Sequence, residues 1–173
     1  MKKPLKNIKA GCHQLKRQVE ALRRSKLSAE KVVDLGEYRS SRDVSLAPTI
    51  FVVDDDEIVR EGIKRILDTC HCNVVLAEDG MALAKALEQS RADLFILDIN
   101  LPWVDGFELC SLLKSNDSYK HVPLIILSGN SKKEDFEKGF AAGCTHYIAK
   151  PFEVDHLLDV VESCLGASRV LQE

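Results

Sequence analysis

From residue 49 onward, short apolar runs alternate with longer stretches in which apolar positions return every three or four residues. The runs fall at 49–53, 74–77, 94–97, 124–127 and 145–149 and are rich in Ile, Val and Leu. Near-continuous runs of this length predict strands covered on both faces, as in a parallel sheet. The stretches between them predict helices over 57–68, 81–89, 106–114, 132–142 and 154–165. Five strands alternating with five helices describe an α/β fold, a doubly wound parallel sheet with right-handed crossovers. Ligands of such sheets bind outside the carboxyl ends of the strands, where the strand order reverses. The residues that end each strand are therefore the place to look for chemistry.

Those ends are rich in polar groups. The first strand runs into Asp54-Asp55-Asp56 and the third into Asp98-Ile99-Asn100-Leu101-Pro102. The fourth ends at Ser128-Gly129 and the fifth at Lys150-Pro151. Carboxylates gathered at one sheet edge repel one another, and partial burial worsens the repulsion. Magnesium, a hard octahedral cation that prefers oxygen and keeps several waters, would relieve it. The expected ligands are Asp55 and Asp98 directly, the backbone carbonyl of Asn100, and Asp54 through a bound water. Lys150 would pair with Asp98 at rest and with a phosphoryl oxygen afterwards. Ser128 would offer a hydroxyl to another oxygen. Such a set suits phosphoryl transfer to a carboxylate, where catalysis is mostly positioning and charge stabilisation, with Asp98 as nucleophile.

The segments Phe51-Val52-Val53-Asp54-Asp55-Asp56-Glu57, Leu97-Asp98-Ile99-Asn100-Leu101-Pro102-Trp103-Val104-Asp105-Gly106 and Tyr147-Ile148-Ala149-Lys150-Pro151-Phe152 resemble response regulator receiver domains. The spacing agrees as well: 43 residues from Asp55 to Asp98, 30 more to Ser128 and 22 more to Lys150. The resemblance covers residues 48–166. It implies a flavodoxin-like five-stranded sheet in the order 2-1-3-4-5, and a signalling phospho-acceptor that catalyses only its own phosphorylation and dephosphorylation. Asp98 would be phosphorylated, Asp54 and Asp55 would form the acidic pocket, Ser128 would be the hydroxyl switch and Tyr147 the aromatic switch that turns inward. The implied donor is a histidine kinase or phosphotransfer protein in a two-component pathway or phosphorelay. A downstream protein target, or a second copy, would use the 132–165 face. Asn100 and Asn130 would influence the hydrolytic water and give a phosphoryl lifetime of minutes.

Charge divides the 173-residue chain. Residues 1–47 hold twelve Lys/Arg against five Asp/Glu, net +7, whereas 48–173 carry net −10. Within 5–22, Leu5, Ile8, Cys12, Leu15, Val19 and Leu22 recur at intervals of three and four, a coiled-coil-like stripe. An isolated helix of this length is marginal in water. The helical arm at 1–35 is therefore expected to dock on a second copy, on the receiver or on another protein, with 36–48 as linker and 167–173 as a tail. DNA binding by the arm is not favoured, because its basic charge is unaccompanied by a helix-turn-helix pattern. No carboxyl-terminal output domain is expected.

No apolar run approaches the roughly 20 residues that span a bilayer, and the Lys-rich start lacks the apolar core of a secretory signal. A cytoplasmic protein with reduced thiols is expected. The Cys70-His71-Cys72 run lacks the second ligand pair of a zinc site. Asp56 and Glu57 read as cap and first-turn residues, and Asp105-Gly106 as a turn. Trp103 suits either a partner contact or loop packing, and Tyr147 alone would also pass as a half-buried edge aromatic. Asp54 and Asp56 imitate the Asp-x-Asp motif of haloacid-dehalogenase-like phosphatases. That family expects Thr or Val where Ile58 stands, together with a cap and a longer chain.

Overall fold

The structure, a computed structural model, describes residues 47–170 except Trp103, with side chains to Gly166. The expected arm at 1–35, most of the linker and the Trp103 contact lie outside the described residues. Strands β1 (Thr49–Val53), β2 (Asn73–Ala77), β3 (Leu94–Asp98), β4 (Leu124–Ser128) and β5 (His146–Ala149) form one parallel sheet in the order β2-β1-β3-β4-β5. Between and after them run α1 (Glu57–Leu67), α2 (Gly80–Leu87), α3 (Gly106–Lys114), α4 (Lys133–Ala141) and α5 (Val154–Val170). The expected strand order and fold class are both present.

Alternation along each strand sorts side chains onto the two faces. Phe51, Val53, Phe95, Leu97, Leu124, Ile126 and Tyr147 point into one apolar layer, shared with Leu83 of α2 and Leu109 of α3. Ile50, Val52, Leu94, Ile96, Ile125, Leu127 and Ile148 point into the other, closed by Ile63 and Leu67 of α1 and Leu157 and Val161 of α5. Each such side chain contributes roughly 1.5–3 kcal/mol when fully buried. This two-sided burial explains why the strands read as continuous apolar runs.

Three helices start on an aspartate. Asp56 accepts from Ile58 N (2.8 Å) and Val59 N (3.4 Å), Asp79 from Met81 N and Ala82 N, and Asp105 from Phe107 N. Each occupies backbone donors that the first turn leaves unpaired. At the opposite rim, Asn73 Nδ2 donates to Ala47 O and Thr49 N to Asp93 Oδ2, pinning the start of β1.

Several boundaries differ from the expectation. The β3 and β4 ladders run one residue further, taking in Asp98 opposite Leu127 and Ser128 opposite Ala149. Polar residues are admitted here because a ladder needs only backbone groups. α5 extends to Val170 rather than 165, since no Pro or turn chemistry follows Gly166 to stop it.

Candidate functional site

The parallel register brings the carboxyl ends of β1, β3, β4 and β5 to one rim. Asp54 and Asp98 there are 3% and 5% exposed, and Ser128 is fully buried. Lys150 follows β5 and spans the rim: its Nζ lies 2.6 Å from Asp54 Oδ2 and 2.8 Å from Asp98 Oδ1. The Lys150–Pro151 peptide is cis, and Lys150 N donates to Ser128 O, tying the end of β5 to β4. Burial acts to lower the lysine's pKa, but the hydrogen bonds it donates to both aspartates, and their charges, outweigh it and hold the ammonium above its ordinary range.

The carboxylates are oriented by backbone donors. Asp54 Oδ1 accepts from Asp56 N (2.9 Å), and Asp98 Oδ2 accepts from Asn100 N (2.6 Å). The main-chain carbonyl of Asp54 takes a hydrogen bond from Arg60 Nη1 at 2.6 Å. Behind Asp98, Gly106 donates to Ile99 O, and a Cβ at Gly106 would lie 2.5 Å from Asp98 O. Only glycine fits so close to the backbone that carries the central carboxylate.

Ser128 Oγ accepts from Asn130 N (3.0 Å), and the phenol of Tyr147 donates to Asn130 O (3.0 Å). The Tyr147 ring is already inside, 8% exposed, and stacks on Phe136 at 4.3 Å between centroids. Burial pushes its phenol above the usual range, against a lowering contact with Ser128. A Cβ on Gly139 would come within 2.8 Å of Tyr147 Cδ2, so the ring lies against a side-chain-free stretch of α4.

Of the residues singled out above, Asp54, Asp98 and Lys150 are in direct contact, and Ser128 with Tyr147 converges on Asn130. Asp55 stands exposed beside them, and Asp56 is engaged as a helix cap. The direct Asp54–Lys150 pair was not foreseen, since Asp54 was assigned a water-mediated place. Arg60, Phe136 and Gly139 went unnoticed; only a cation six residues beyond an acidic strand end hinted at Arg60.

Magnesium fits this set. Two buried carboxylates share one ammonium, leaving an excess negative charge at the rim, and exposed Asp55 is the next residue after Asp54. Among the described residues, no group of three or more His, Cys, Asp or Glu side chains is arranged to hold a metal ion by itself. A cation here would use few protein oxygens and keep its waters, as magnesium does.

The chain is similar to protein PilG of Pseudomonas aeruginosa, with 30% identity over 114 residues, 66% of this chain and 84% of that protein. It spans about half the length of several other curated relatives, which are regulators. Among solved structures, it resembles the chemotaxis response regulator CheY4 of Vibrio cholerae, with TM-score 0.63 and 32% identity, covering 69% of this chain and 99% of that one. It also resembles the receiver domain of sensor histidine kinase PA1611 from Pseudomonas aeruginosa, which holds a magnesium ion in its active-site cleft; there the TM-score is 0.63 and the identity 28%, over 69% of this chain and 98% of that one. With the response regulator receiver domain matched across residues 50–162 and its sheet and acidic rim in place, this chain belongs to the receiver family of two-component signalling.

Proposed function

We propose that Asp98 accepts a phosphoryl group from a phosphohistidine of a histidine kinase or phosphotransfer protein, in a magnesium-dependent reaction, and that the change is read out as altered protein contact. The observation that carries this reading is the placement of Asp98: a carboxylate ending a central strand, 2.8 Å from the Lys150 ammonium. An Asp98 oxygen would form the new P–O bond as the donor's P–N bond breaks, its electron pair remaining on the imidazole nitrogen. Lys150 would follow the negative charge from the carboxylate onto a phosphoryl oxygen. Ser128, an acceptor from Asn130 N, keeps its own O–H to donate to another. Asp55, Asp98 and the Asn100 carbonyl would hold magnesium, with Asp54 acting through water. When bound, that ion supplies the charge that offsets the phosphoryl oxygens.

The likeness to CheY4 and PilG supports a signalling role, and the α4–β5–α5 face beside Tyr147 suits the readout contact. The test is incubation with acetyl phosphate and magnesium. Asp98 should label with a lifetime of minutes, and chelation or Asp98→Asn should abolish labelling. A labelled Asp98→Asn protein would overturn the assignment. Beryllofluoride sizing of the full chain against residues 47–173 asks whether the arm takes part.

A further inference from the structure

Asp55, the exposed carboxylate, follows Asp54 directly, so the peptide between them sets the direction in which it can point. Asp54 is held at each polar group. Its N–H donates to Ala77 O, Oδ1 accepts from Asp56 N, Oδ2 pairs with Lys150 and its carbonyl accepts from Arg60 Nη1. That carbonyl belongs to the peptide plane joining Asp54 to Asp55. Whatever fixes the plane fixes the direction in which Asp55 leaves the strand, because a planar peptide passes orientation from one residue to the next. Arg60 is half-buried in the second turn of α1 and reaches back to this oxygen. The same helix is anchored at its start by Asp56.

We infer that Arg60 is a positioning residue for divalent-cation binding: its guanidinium locks the Asp54–Asp55 peptide so that the Asp55 carboxylate is presented to the pocket. The inference rests on the magnesium reading proposed above, and it makes a prediction of definite sign. Charge alone would have Arg60 repel a cation, so removing it would tighten binding. Positioning demands the opposite, because the lost hydrogen bond releases the peptide that carries a ligand.

The test is titration of the full chain with magnesium alone, followed by calorimetry, for wild type, Arg60→Met and Arg60→Lys, with thermal melting as a check of folding. Arg60→Met keeps the apolar stem and is expected to weaken magnesium binding about tenfold, the scale of one charge-assisted hydrogen bond. Arg60→Lys, which retains a cationic donor, is expected to recover most of that loss. In acetyl phosphate labelling, raised magnesium should return the Arg60→Met rate to near the wild-type value. Unchanged or tighter binding in Arg60→Met, or no recovery in Arg60→Lys, overturns the inference. If wild type itself shows no saturable binding, or Asp55→Asn leaves it untouched, the underlying magnesium reading fails instead.

Discussion

Lys150, just past β5, and Asp98, the last residue of β3, belong to strands two places apart, yet their charged atoms are 2.8 Å apart at the carboxyl rim, with Asp54 bound to the same ammonium. β4 between them ends in Ser128, whose small side chain is fully buried and leaves the lysine room to cross. Removing the ammonium strands two buried carboxylates. Lys150→Ala is therefore expected to destabilise the domain by roughly 3 kcal/mol, the low end for a broken buried pair because the lysine is partly exposed. Magnesium should restore more of the lost stability in this variant than it adds to wild type. Urea denaturation with and without the ion checks both statements, and an unchanged midpoint would contradict the first.

Gly106→Ala places a methyl group 2.5 Å from Asp98 O and Ile99 Cα, both backbone atoms. Neither can yield without shifting Asp98 itself. A loss of roughly 2–3 kcal/mol is expected, at the upper end for overpacking. Whatever folds should label with acetyl phosphate more slowly than wild type. A denaturant curve and a labelling time course measure the two effects separately.

Gly139→Ala reverses a familiar sign. An alanine in a helix interior ordinarily gains up to about 1 kcal/mol over glycine. Here the new Cβ would meet the Tyr147 ring at 2.8 Å, so destabilisation is expected, with the ring driven from its seat against Phe136 and off Asn130 O. Nitration of Tyr147 should rise severalfold over wild type. A more stable Gly139→Ala protein with a protected tyrosine would refute this.

Alkaline pH should unfold the domain early. Burial raises the Cys110 thiol from 9.0 to about 12 and the Cys144 thiol from 9.0 to about 11. Between pH 9 and these values the unfolded chain releases protons that the folded chain retains, so stability falls as pH rises. The Lys150 ammonium, also held above its ordinary range, adds to the loss at the upper end of this window. Urea midpoints from pH 8 to 11 should decline, and Cys110→Ala should flatten the slope.

Much of this was legible beforehand. Ile50 to Val53 and Leu94 to Leu97 announce strands because both faces of each are covered, and the chemistry had to stand at their ends. Asp98, Lys150 and Ser128 were found that way. Contacts that depend on how far a side chain reaches were not legible. Lys150 proved long enough to serve Asp54 as well as Asp98, and Arg60 turned back to a main-chain oxygen that no residue pattern marks. The position of Tyr147 depended on a missing side chain at Gly139, which in sequence is simply a poor helix former. That the ladders take in Asp98 and Ser128 was not legible, because backbone pairing is indifferent to side-chain polarity.

The anchoring of β1 by Asn73 and Asp93 has an architectural consequence. The peptide leading in through Ala47 meets the sheet at the pole opposite Asp98, a five-residue strand or about 17 Å away. A group joined directly at Ala47 would therefore be attached at the pole away from Asp98.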